Sequence, residues 1–136
     1  MKKKIIEKCL ETLDSKIDQS IRMMNTAQES AFSDTKSSAG DKFETGREMA
    51  MQEYHKANQQ KSQAEAMKNS FLKINFESPN SSIKLGSLIK TNKGYFLIAV
   101  SLGSISIDTE NCFVISTNSP LGKDFLGKQK GDKITF

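Results

Sequence analysis

Ala39-Gly40-Asp41-Lys42-Phe43-Glu44 stands where one heptad-patterned segment stops and a second begins. Before it, Leu10, Leu13, Ile17, Met24, Ala27 and Ala31 follow Ile6 in steps of three, four and seven, with Ser20 in the gap and Ile21 beside it. That is the seam of a helix lying along a partner. Glu7, Lys8, Glu11, Asp14, Lys16 and Asp18 fill the other, solvated face. No glycine or proline interrupts Lys2 to Phe32, so a helix about 45 Å long is expected.

After the quoted stretch a second seam runs from Phe43 through Ala50, Tyr54, Ala57, Ala64, Met67, Phe71 and Ile74, broken once by Lys61. Between the two seams, Ser33 to Ala39 is small and polar. Such side chains bond their own backbone in competition with a helix, and Gly40 permits positive φ. Two long helices joined by a short polar segment read as an antiparallel coiled-coil hairpin over residues 1–75, its tip near 33–44. Asp41 and Glu44 then stand at that tip. Their spacing suits a capping box, in which Asp41 accepts from backbone N–H groups and Glu44 reaches back. It equally suits two carboxylates presented to a metal ion.

Residues 76–82, with Pro79 among serines, read as a linker. Beyond them the period changes to two. Gly86 to Thr91 and Tyr95 to Val100 flank a turn at Asn92-Lys93-Gly94. Ile105 and Ile107 alternate with serines, and Asn111 to Thr117 is β-rich. Ser119-Pro120 opens a short helix, serine as N-cap and proline at the first helical position, carrying Leu121, Phe125 and Leu126 inward until Gly127 stops it. Gly131-Asp132 turns into a last strand, Lys133 to Phe136. Residues 83–136 are expected to form a small antiparallel sheet domain with one short helix, making the chain α+β.

Composition narrows the function. The formal net charge is +4 over 136 residues, and basic and acidic side chains are interleaved without a stripe. Independent DNA binding needs a concentrated basic footprint and is not expected. No apolar run approaches a membrane span, and the lysines at the N-terminus precede Glu7 and Glu11 rather than an apolar core, so a cytoplasmic, membrane-free protein is expected. Cys9 and Cys112 are far apart in sequence, and with His55 they supply neither a zinc set nor a nucleophile with its base. They read as free packing thiols. Met23, Met24, Met49 and Met51 read as gap-filling residues near the tip half.

The segment Ser119-Pro120-Leu121-Gly122-Lys123-Asp124-Phe125-Leu126-Gly127-Lys128-Gln129-Lys130-Gly131-Asp132 is similar to the Ser-Pro, Leu-Gly-Lys and Gly-Asp run that closes the C-terminal domain of the bacterial Gre transcript-cleavage factors. Gly40-Asp41-Lys42-Phe43-Glu44 resembles the Gly-Asp-x-x-Glu tip of their hairpin. With the order of elements, the resemblance covers nearly the whole chain. It implies an FKBP-like C-terminal domain and a transcription elongation factor that enters the secondary channel of RNA polymerase and stimulates cleavage of backtracked RNA. Such a factor is not itself an enzyme and has no cofactor of its own. Asp41 and Glu44 would be the catalytic carboxylates, helping the polymerase active site to hold a shared Mg²⁺ and the attacking water near the 3′ end of the nascent RNA. Ser119, Pro120, Leu121, Lys123 and Phe125 would dock on the polymerase.

The sequence departs from the family in three places. Thr45-Gly46-Arg47-Glu48 follows the tip where the family has Asn-Ala-Glu-Tyr, and Ser33 to Ala39 differs from the family's tip. The resemblance also implies one strand beyond Phe136, so the expectation is either an exposed sheet edge or a truncated version of a longer sequence. The altered tip favours an alternative: a secondary-channel regulator that binds polymerase without promoting cleavage. A coiled-coil adaptor reusing a Gre-like domain is a third reading. A prolyl isomerase is disfavoured, because the short domain lacks tryptophan and an aromatic pocket.

Overall fold

In the computed structural model the described residues are 1–33, 40–77 and 81–133, with side chains described over 1–31, 45–77 and 81–133. The protein is α+β. Two long helices, α1 (Lys2–Ser33) and α2 (Gly40–Leu72), precede four strands, β1 (Leu88–Thr91), β2 (Gly94–Ala99), β3 (Gly103–Ile107) and β4 (Glu110–Ser116), and a short helix α3 (Pro120–Phe125). The expected last strand, Lys133 to Phe136, falls almost wholly outside the described residues.

Two compact units divide the chain out of sequence order: Met1–Glu11 joins Met67–Phe136 in one, and Thr12–Ala66 forms the other. The first turns of α1 and the last turns of α2 therefore belong with the sheet.

In the unit Thr12–Ala66 the buried positions among the described residues are Leu13, Ser20, Ala27 and Ala31 on α1 and Ala50, Ala57 and Ala64 on α2. Leu13, Ser20 and Ala27 recur every seven residues, as do Ala50, Ala57 and Ala64, which is the spacing of a helix seated along another. Almost all are small. Contact surfaces made of alanine and serine let helix axes approach toward the short end of the usual 8–10 Å. The Ser20 hydroxyl donates to the Lys16 carbonyl at 2.9 Å, so burial leaves no polar atom unsatisfied there. Ile17 and Met24 lie half-buried at the edge of the stripe. Gly40 and Asp41 already belong to α2, which starts ahead of the seam read from Phe43.

The other unit is built on a sheet of order β1-β2-β4-β3. It is mixed, which corrects the antiparallel expectation. The β1–β2 and β3–β4 pairs are antiparallel, but β2 and β4 run parallel, with Leu97 opposite Val114. β3 crosses to the outside before turning back, which leaves β4 to insert beside β2. The hairpin turns are two residues each. Asp108 has φ 55° in the second of them, a conformation aspartate tolerates better than most residues.

Period-two alternation gives the sheet two apolar faces. On one, Phe96, Ile98 and Phe125 form a core with Ile83, Ile89, Phe113, Ile115 and Leu121 around it. Phe96 stacks on Phe113 at 5.2 Å and meets Phe125 at 5.1 Å, within the range of favourable ring pairs. The opposite parity, Leu97, Ala99, Ile105, Ile107, Cys112 and Val114, is also buried, as are Ile5, Cys9 and Phe71 from the helix ends. The seam expected at Ile6 and Leu10 is shifted one position: Ile5 and Cys9 are fully buried and Ile6 and Leu10 half-buried. This end of α1 belongs to the unit that holds the sheet and the last turns of α2, and Cys9 there lies near Cys112 of β4. Lys4 reaches Asp108 in the β3–β4 turn at 3.7 Å, and Lys2 Nζ donates to the Phe76 carbonyl.

Candidate functional sites

Asp41 and Glu44 lie in the first two turns of α2. Their side chains lie outside the described residues, as does the sequence 34–39 before the helix. Among the described residues no cluster of three or more histidine, cysteine, aspartate or glutamate side chains could hold a metal ion. The two carboxylates would in any case supply only part of an octahedral Mg²⁺ site, which leaves the remaining ligands to a partner.

The five residues expected to dock on a partner sort by burial. Ser119 caps α3: its Oγ accepts from the Gly122 amide at 2.9 Å and donates to the Ser116 carbonyl at 2.8 Å. Phe125 is 2% exposed, and Leu121 packs against the same cluster. These three hold the domain together. Pro120 and Lys123 are exposed and available to a partner. Leu126, expected inward, is 38% exposed, because the chain leaves the helix there and turns at Gly127, whose φ is 82°.

The methionines divide similarly. Met24 is half-buried, while Met23, Met49 and Met51 are exposed and cannot be gap fillers.

Cys9 and Cys112, far apart in sequence, are free and both buried. Burial pushes the Cys9 thiol up to about 12, helped by the nearby Cys112, and pushes Cys112 up to about 11 against a backbone hydrogen bond with Leu97 that partly lowers it. Thiols held protonated and away from solvent are poor nucleophiles, so the pair is a packing feature.

One feature escaped the sequence reading. Lys90, Lys128, Lys130 and Lys133 line a single groove of about 980 Å³ beside β1. Lys128 to Lys133 carries three lysines in six residues, a signal in itself, but only the fold adds Lys90.

The chain matches no family model, no curated protein and no solved structure. The functional reading therefore rests on its own residues. Among the described residues no helix is long and apolar enough to cross a membrane.

Proposed function

We propose that this protein is a Gre-like factor that binds RNA polymerase through its secondary channel and stimulates cleavage of backtracked RNA. One observation carries the reading. Helices of 32 and 33 residues follow one another across residues 34–39, and Asp41 and Glu44 fall at the start of the second. Paired as an antiparallel coiled-coil hairpin, such helices make a rigid probe about 45–50 Å long, with two carboxylates at its end. The heptad spacing of Ala50, Ala57 and Ala64 supports the pairing, and its small side chains would keep the probe narrow. A mixed sheet with a serine-capped α3 on one face is compatible with an FKBP-like docking domain, to which Pro120 and Lys123 contribute exposed surface.

The chemistry belongs to the polymerase. Asp41 and Glu44 would add oxygen ligands to a shared Mg²⁺ and orient water for attack on the RNA phosphodiester. The protein contributes position and negative charge at the point where a second cation is needed.

A second reading has its own support. Arg47 is exposed one turn after Glu44, where the Gre pattern has an acidic residue. A guanidinium there opposes cation binding and favours a regulator that occupies the channel without promoting cleavage. Adding the protein to stalled polymerase complexes separates the two. Shortened transcripts support the first reading; binding without shortening supports the second; failure to bind polymerase excludes both.

A further inference from the structure

Among the described residues β1 has one neighbour in the sheet, β2, and so forms its edge. In an antiparallel pair the residues alternate between facing their neighbour and facing away. Ile98 N–H donates to the Ser87 carbonyl at 3.0 Å, and the register continues through Ile89 opposite Phe96 and Thr91 opposite Gly94. The backbone groups of Leu88 and Lys90 therefore point away from β2, toward the groove that both residues line. An edge of this kind is a template for another strand.

The groove has a definite chemistry. Its apolar floor includes Ile83, Ile89 and Phe125, and its rim carries Lys90, Lys128, Lys130 and Lys133. None of those four lysines has an ion-pair partner among the described residues. Asp132, also on the rim, is engaged: its Oδ2 accepts from the Gln129 amide at 2.8 Å. The floor is fixed by two backbone bonds, Ile83 N–H to the Lys128 carbonyl at 2.8 Å and Gly127 N–H to the Ile83 carbonyl at 2.9 Å.

We propose that the edge of β1 binds an extended acidic peptide segment of a partner protein as an added strand. Backbone groups of Leu88 and Lys90 would pair with the peptide, alternate apolar side chains would meet Ile83 and Ile89, and acidic side chains would face the lysines. This is strand addition, in which main-chain bonds give affinity and alternate side chains give specificity. Single-stranded nucleic acid fits less well. Such ligands need exposed rings for base stacking, and among the described residues the one aromatic lining the groove, Phe125, is 2% exposed. The inference does not depend on the polymerase reading.

The test uses the full chain and a fluorescent twelve-residue peptide alternating glutamate with valine, followed by anisotropy, with backbone hydrogen exchange read in parallel. The expected result is binding that weakens with salt, falls roughly tenfold in the Lys128→Glu/Lys130→Glu variant, and is lost when alternate peptide amides are N-methylated. The Leu88 and Lys90 amides become protected only when peptide is bound. Four results would overturn the proposal: no binding, equal binding of the N-methylated peptide, equal binding of an oligothymidine of the same length, or protection of the Leu88 and Lys90 amides without peptide. Both lysines are exposed, so the variant is expected to fold, and its unchanged circular dichroism checks that.

Discussion

Gly122 sits against the carbonyl oxygen of Ser116, with no room between them for a β-carbon. The obstacle is backbone, and Ser119 Oγ lies on the same side at 2.8 Å from where that carbon would be, so a side chain at 122 forces α3 off the end of β4. Gly122→Ala is expected to cost about 2–4 kcal/mol, read as a lower midpoint in urea with an unchanged slope. Ser119→Ala removes the cap and the hydrogen bond to the Ser116 carbonyl without adding bulk, and is expected to cost about 1–2 kcal/mol. If Gly122→Ala is as stable as wild type, the close approach of α3 to β4 is wrong.

That relationship explains why the Ser119 to Gly127 stretch was so readable. Serine, proline and glycine each answer a local backbone demand, and local demands are written in adjacent residues. The helices were legible for the same reason, since a seam repeats along one segment. The parallel β2–β4 pairing was not legible. Alternation of Phe96 with Leu97, or Cys112 with Phe113, fixes which face each residue takes but not which strand lies beside it. Nor could sequence spacing show that Cys9 and Cys112 share a buried environment, or that Lys90 joins Lys128 and Lys130, because those meetings depend on the topology. Asp41 and Glu44 are the reverse case: the sequence places them near the start of a helix, and the chemistry proposed for them requires a partner.

The alanine stripe makes a stability prediction. Ala57 is fully buried, and Ala57→Leu is expected to destabilise the helical unit by about 1–3 kcal/mol through overpacking. Gln59→Leu, at an exposed position of the same helix, is expected to change stability by less than about 0.5 kcal/mol. Thermal melts followed at a helical wavelength measure both. Equal effects at the two positions would mean that α2 does not bury this stripe.

The thiols make a pH prediction. Their ordinary value is 9.0, raised in the fold to about 12 for Cys9 and about 11 for Cys112. Below pH 9.0 both states are protonated and the thiols' contribution to stability is complete. As pH rises from 9.0 toward 11 and 12, the unfolded chain loses thiol protons that the folded chain keeps. Stability then falls by up to about 1.4 kcal/mol per pH unit for each thiol. The Cys9→Ala/Cys112→Ala variant is expected to show a shallower alkaline decline than wild type in urea titrations between pH 8 and 11. Identical slopes would contradict the burial of these thiols.

The central claim is that Asp41 and Glu44 act at the polymerase active site, and transcript cleavage measures it most directly. Purified protein is added to stalled, backtracked polymerase complexes in Mg²⁺, and the length of labelled RNA is followed with time for wild type and for the Asp41→Ala/Glu44→Ala variant. Both proteins are expected to bind polymerase, and the wild type alone to shorten the RNA. Equal shortening by both, or none by either, would contradict the catalytic role of the two carboxylates.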